Sequence, residues 1–301
     1  MFCANCGAKV VDGKNFCPEC GAKMEAGAAP RVQGPADEVE YQLFGDDMQL
    51  VEIELDPGES VVAEAGAMTY MEKDIQMQSV FGDGSGKEGD KVMDKILGAG
   101  KRALAGESLF MTLFQNGGQG KSHVAFAAPF PGKIIPVELK EFGSSLICQK
   151  DAFLCAAKGI SISIHLNRKV GAGIFGGEGF IMQKLTGDGL VFLHAGGTII
   201  KKELLPGDML RVDTGCIVAI SETVDYDITF TGDIKTSLFG GEGLFLATLS
   251  GRGHVWLQSM PFSRLADRIG RTIGTNRGEN RGANNPMGEI VGGLGGLFKN
   301  Y

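Results

Sequence analysis

One five-residue motif constrains this chain more than any other feature, because it occurs twice in one sequence. It reads Phe175-Gly176-Gly177-Glu178-Gly179 and again Phe239-Gly240-Gly241-Glu242-Gly243. Each copy leads into an apolar run, a Gly-x-Gly turn (Gly187-Asp188-Gly189, then Gly251-Arg252-Gly253) and a second apolar run. A degenerate third copy lies upstream at Gly106-Glu107-Ser108-Leu109-Phe110, with its turn at Gly118-Gln119-Gly120. An internal repeat means that one structural unit is built several times and that neighbouring units bury one another's faces and edges.

The preceding half of each unit recurs too. Leu50–Glu59, Ile134–Leu139 and Ile199–Asp208 each read as a strand running into a turn. Pro57-Gly58 and Pro206-Gly207 suit the two central turn positions, since Pro presets φ and Gly accepts φ > 0. The middle copy has Glu141-Phe142-Gly143 there instead. The next strands are read at Val61–Met68, Leu146–Lys150 and Leu210–Ile217. The expectation is an all-β chain of three tandem repeats, at 41–130, 131–198 and 199–260, each a small sandwich of short strands. The 47 glycines, about twice the usual frequency, fit many tight turns between β-branched runs. Repeat 1 carries an insertion, and Val92, Ile96, Ala99 and Ala103 give it helical spacing near 88–105.

The first 24 residues differ in kind. Cys3-x2-Cys6 and Cys17-x2-Cys20 form two knuckles, with Gly7 and Gly21 placed to allow the turn after each pair. Four thiolates at this spacing predict a zinc ribbon holding one structural Zn²⁺ with no open coordination position. A segment this short has no core in which four free cysteines could be buried. Residues 25–40 read as a linker. Residues 261–301 leave the repeat. Phe262, Leu265, Ile269 and Ile273 keep helical spacing beside Arg264, Arg268 and Arg271, and a polar then glycine-rich apolar tail follows.

Charge and cysteine usage narrow the function. A net charge of −7 disfavours non-specific nucleic-acid binding, which needs Lys and Arg on phosphates. Met1-Phe2-Cys3 lacks the start of a signal peptide, and no apolar run is long enough to span a bilayer. Of seven cysteines, four sit in the ribbon and Cys148, Cys155 and Cys216 lie in apolar runs as expected buried, inert thiols, a pattern suited to a reducing cytoplasm.

Motifs that suggest catalysis lack their context. Gly171-Ala172-Gly173-Ile174-Phe175-Gly176 is formally Gly-x-Gly-x-x-Gly, but no helix pattern follows. Asn116 to Ser122 hints at a phosphate loop, but the first required glycine is Gln115, and His123-Val124-Ala125-Phe126 reads as strand. His123 and His254 occupy matching positions where repeat 2 has Leu190, which marks a packing position. The equivalent acids Glu107, Glu178 and Glu242 are the candidate binding residues. Flanked by glycines, each either accepts backbone N–H bonds in a bulge or joins a set of carboxylates at an interface.

At Gly106 to Phe110, the two Phe-Gly-Gly-Glu-Gly copies and Leu257-Gln258-Ser259-Met260-Pro261-Phe262-Ser263-Arg264-Leu265-Ala266, the sequence resembles the altered-inheritance-of-mitochondria protein 24 family over about residues 41–270. The resemblance implies a fold like that of the tryptophan RNA-binding attenuation protein, a short double-stranded β-helix that assembles into rings. It implies three units per chain and three chains per ring. It also implies a link to inner-membrane organisation for the mitochondrial members. It does not carry over tryptophan or RNA binding, since no basic triplet recurs once per unit. The expectation is a non-enzymatic, homotrimeric, ring-forming scaffold that recruits an unidentified protein partner through its zinc ribbon and tail, with a membrane surface as a candidate contact. The alternatives are a nucleic-acid-binding regulator, or an enzyme or small-ligand binder with a site between repeats.

Overall fold

The computed structural model describes residues 35–81, 110–165, 181–230 and 245–275. The expectations for Cys3, Cys6, Cys17 and Cys20, for Glu107, Glu178 and Glu242, for the helix near 88–105, for Gly171 to Gly176 and for the tail beyond 275 lie outside the described residues.

The described chain is almost entirely β. After β1 (Glu40–Phe44) come β2 (Leu50–Leu55), β3 (Ser60–Glu64), β4 (Met68–Met71), β5 (Ile75–Phe81), β6 (Phe110–Asn116) and β7 (Ser122–Ala127). Next are β8 (Lys133–Glu138), β9 (Ser145–Gln149), β10 (Phe153–Ala157), β11 (Ser161–His165), β12 (Met182–Thr186) and β13 (Leu190–Ala195). Last are β14 (Ile199–Leu204), β15 (Met209–Asp213), β16 (Ile217–Ser221), β17 (Val224–Phe230), β18 (Phe245–Gly251), β19 (Gly253–Gln258) and one helix, α1 (Phe262–Thr275). The described residues up to Pro261 form one compact unit, and those from Phe262 form a second.

Four antiparallel sheets follow one plan. The two six-stranded sheets run β5-β6-β3-β10-β13-β8 and β11-β12-β9-β16-β19-β14, so equivalent strands occupy equivalent places. Each therefore takes three strands from one stretch of chain and three from the next. The smaller sheets are the two halves of that plan: β1-β2-β7-β4, which adds β1 outside β2, and β15-β18-β17. The joins are β3 with β10 (Ala63 opposite Cys155, Val62 opposite Ala156) and β9 with β16 (Cys148 opposite Ala219, Ile147 opposite Ile220).

Burial explains why the joining strands are apolar throughout. One core draws Val51, Ile53 and Phe126 from the first small sheet and Val61, Ala63 and Phe192 from the first large one. A second takes Val62, Ala156 and Val191 from the other face of that sheet, with Leu146, Leu185 and Trp256 from the next. A third joins Ile147, Ile220 and Val255 to Val212, Tyr226 and Leu249 of the last small sheet. Val61 and Val62 thus face different cores, as expected for a strand covered on both faces.

The turns follow the sequence at Gly58 (φ +91°) and Gly207 (φ +95°), while the drifted turn is a 3-10 helix over Leu139–Phe142 ended by Gly143 (φ +74°). Two expected strands are broken. Val61–Met68 is split at Gly66 (φ +86°) into β3 and β4, and Leu210–Ile217 is split by a 3-10 turn at Thr214–Cys216. Gly66 adopts a left-handed conformation incompatible with a continuing strand. In the second case the Asp213 carboxylate accepts from Gly215 N–H at 2.9 Å and turns the chain.

Candidate functional site

The open edges of the two small sheets are the most unusual surfaces. In each large sheet the equivalents of β4, namely β10 and β16, pair on both sides. Among the described residues, β4 itself pairs only with β7, and β15 only with β18. Matching ladders define the equivalences. Met68, Phe153 and Ile217 precede a bulge, and Tyr70, Cys155 and Ala219 follow it. Cys155, Ala156, Ala219 and Ile220 are fully buried, whereas Tyr70 and Met71 in the same positions are 42% and 38% exposed. On the other open edge Met209 is 66% exposed, and Leu205 in the turn before it is 56% exposed.

Beside the β4 edge lies a polar network on the outer face of the first small sheet. The alternation of β2 places Glu52 and Glu54 on that face, away from buried Val51, Ile53 and Leu55. Tyr70 donates to Glu52, and Lys121 pairs with Glu54 and, at 3.0 Å, with Glu40. His123 stands between two carboxylates: Nε2 is 3.2 Å from Glu54 and Nδ1 is 3.3 Å from Glu72. Burial works against the His123 charge, but the Glu72 carboxylate prevails and holds its pKa above the usual value. Glu72 is lowered in turn by bonds from the His123 backbone and ring, and Glu54 by its bond from Lys121. Among the described residues, no group of three or more His, Cys, Asp or Glu side chains is arranged to hold a metal ion. Sequence reasoning did not single out this network. Its one legible signal was Glu52 and Glu54 at strand spacing.

His254 shares the ladder position of His123 and Leu190, opposite Glu203, Glu54 and Glu138 respectively. It packs in an aromatic group: Phe142 lies edge-on to Trp256 at 5.1 Å and to His254 at 5.3 Å, and Lys201 Nζ sits 4.7 Å above Phe142. Cys148 and Cys155 are buried as expected. Burial pushes the first thiol up to about 12 and the second well above the ordinary thiol range, so neither is a ready nucleophile. Cys216 is partly exposed, a departure from the expected burial. The turn at Asn116 is held by its own side chain, which donates to Leu55 O and Gly120 O, and strand β7 follows it rather than a helix.

The end of the expected linker is fixed in place. Ala36 N–H donates to Asp188 Oδ1, Asp37 N–H donates to Lys158 O, and Asp37 Oδ2 accepts from the buried Ser60 N–H, each at 2.9 Å. Residues 36 and 37 therefore lie against two turns of the middle part of the chain, at Gly159 and at Gly187 to Gly189.

The segments that carry Glu107, Glu178 and Glu242 each join two strands that pair with one another. Their anchors are Phe81 opposite Phe110, His165 opposite Met182 and Phe230 opposite Phe245. The strands thus bring these anchors to equivalent places in the plan.

The arrangement is that of an all-β protein of edge-sharing sheets, joined at its start to a segment with zinc-ribbon cysteine spacing. Residues 41–260 match the family described as mitochondrial biogenesis AIM24, and residues 2–24 match a zinc-ribbon domain. The chain belongs to the AIM24 family. It is 32% identical over 225 residues to an uncharacterised protein of Streptococcus pyogenes serotype M6, covering 74% of this chain and 86% of that one. It is also similar to the crystal structure of a Streptococcus pyogenes protein, with a TM-score of 0.61 and 26% identity, covering 78% of this chain and 100% of that one.

Proposed function

We propose that this protein is a non-enzymatic scaffold that closes into a ring of chains, each three edge-sharing units long, and displays its zinc ribbons around that ring. One observation carries the reading: the two small sheets are complementary halves of the plan followed by both large sheets. Joining β15 of one chain to β4 of the next would complete a sheet of the same order. The internal joins supply the register for such a contact. Tyr70 falls opposite Val212, Met71 opposite Arg211 and Glu72 opposite Leu210, by equivalence with Cys155 opposite Ala63 and Ala219 opposite Cys148. The exposed Tyr70, Met71, Leu205 and Met209 then lie at the join. A head-to-tail contact of this kind closes into a ring when its rotation divides the circle, and open edges otherwise invite uncontrolled pairing.

The ribbon supplies the recruiting element. Cys3, Cys6, Cys17 and Cys20 offer the donor set and spacing of a closed tetrahedral zinc site, which acts structurally. Several ribbons on one ring would bind a repeated partner with avidity far above that of one ribbon.

The test combines mass and register. Native mass spectrometry of the full chain should give a trimer. Combining Tyr70→Cys with Val212→Cys should give covalent dimers and trimers on mild oxidation, because directly opposed strand residues lie within disulfide reach. Tyr70→Cys with Leu210→Cys, two residues out of register, should not. A monomer at micromolar concentration refutes the ring. A trimer that cross-links only in the control pair refutes the register.

A further inference from the structure

We infer that α1 is a docking element for an anionic lipid surface. The helix separates two kinds of residue. Phe262, Leu265 and Ile269 fall on one face by helical spacing, and the sequence places Ile273 in line with them. Arg264 and Arg268 fall on the other side together with one acid, Asp267, and the spacing puts Arg271 there as well, so that side is net basic. Phe262 and Ile269 are each 50% exposed. Charge selects the occupant. Residues 262–301 contain six basic and three acidic residues, net +3; with −7 for the whole chain, the first 261 residues carry −10.

An amphipathic helix with low overall hydrophobicity, a basic polar face and large apolar residues opposite lies in the plane of a bilayer interface. Its apolar side enters the acyl boundary while the arginines meet the lipid phosphates. The acidic body would be repelled by the same surface, so contact would be confined to this element. No described helix is long and apolar enough to cross a membrane, and a surface contact does not require one. α1 is a single helix of 14 residues, and one such helix binds weakly. Three on one assembly would bind more tightly, and that gain alone rests on the proposed ring.

The experiment is vesicle flotation of the full-length protein. Vesicles of equal parts phosphatidylglycerol and phosphatidylcholine should carry the chain, and vesicles of phosphatidylcholine alone should not. Ile269→Asp should weaken binding by at least about tenfold, from burial of one large apolar side chain. Arg268→Glu should weaken it by a similar factor, and high salt should release the wild type. Retention of the wild-type chain in the soluble fraction with anionic vesicles overturns the inference, as does unchanged binding by Ile269→Asp. Native mass measured alongside separates the two proposals. A monomer that floats refutes the ring and leaves this inference standing, and a trimer that stays soluble does the reverse.

Discussion

Adding one methyl group at Gly189 should release the segment that leads back to the zinc ribbon. A Cβ there would lie 2.4 Å from the Cβ of Ala36, while its next neighbour, the flexible end of Ile160, is 3.4 Å away. Ordinary carbon contacts are about 3.5–4.0 Å, so Ala36 must retreat by at least about 1 Å. The hydrogen bonds of this segment start at 2.9 Å, and that displacement carries them beyond useful length. Three bonds are at stake, two of them to carboxylates, worth together about 3–5 kcal/mol. Freeing the segment returns about 1–2 kcal/mol of backbone entropy per residue for two or three residues. The two contributions nearly cancel, so Gly189→Ala should change global stability by no more than about 3 kcal/mol in either direction. The sharper assay is amide hydrogen exchange at Ser60, a fully buried residue whose N–H depends on Asp37. Its protection should collapse in Gly189→Ala while that of Val62 persists. Ala36→Gly, introduced into the Gly189→Ala chain, removes the clashing methyl and should restore protection. Unchanged Ser60 exchange in the single variant, or no rescue in the double variant, refutes the reasoning.

Stability should also depend on pH in two opposed ways. Burial pushes Glu64 up to about 7 from an ordinary 4.5, so the folded state binds the proton more tightly than the unfolded one and loses stability as pH rises from about 4.5 to 7. Glu64→Gln should flatten that loss, raising stability at pH 8 by about 1–2 kcal/mol once solvent screening of a half-buried group is allowed for. His194 is pushed down to about 4 by burial, with Nδ1 lacking a partner among the described residues, so the unfolded state binds its proton first and stability falls as pH drops from about 6.5 to 4. His194→Gln should reduce that acid slope in denaturant titrations; an unchanged slope would mean that the ring is already solvated. For the ribbon, native mass spectrometry should count one zinc per chain, absent in Cys3→Ser with Cys6→Ser, while the mass of the β assembly stays the same.

The sequence readings that succeeded were local ones. Pro57-Gly58 and Pro206-Gly207 marked turns because only certain residue types meet that backbone geometry. His123, Leu190 and His254 were matched because a repeated unit keeps its spacing, and the ladder places all three opposite a glutamate. The sharing of sheets between successive stretches was not legible. Val61, Val62 and Ala63 announce a strand covered on both faces, but nothing in an apolar run names β10 as its partner. The polar network around His123 was hidden for a similar reason, since Glu54, Glu72 and His123 meet only when β2, β7 and the end of β4 come together. The docking of Ala36 and Asp37 was invisible because a proline- and alanine-rich stretch looks like a tether wherever it leads.

The sharing of sheets limits how this chain can be cut. Ending it after Ala195 would remove β16, β19 and β14 together, leaving β9 as a new open edge and exposing Ile147 and Met182, which belong to the third core. A piece so made would have an unpaired ladder and an uncovered apolar face, and it would seek both in another molecule. Fragments should therefore precipitate where the whole chain does not. Unfolding should run through the body as one cooperative event, because both large sheets are shared between successive stretches and the middle stretch owns no sheet of its own.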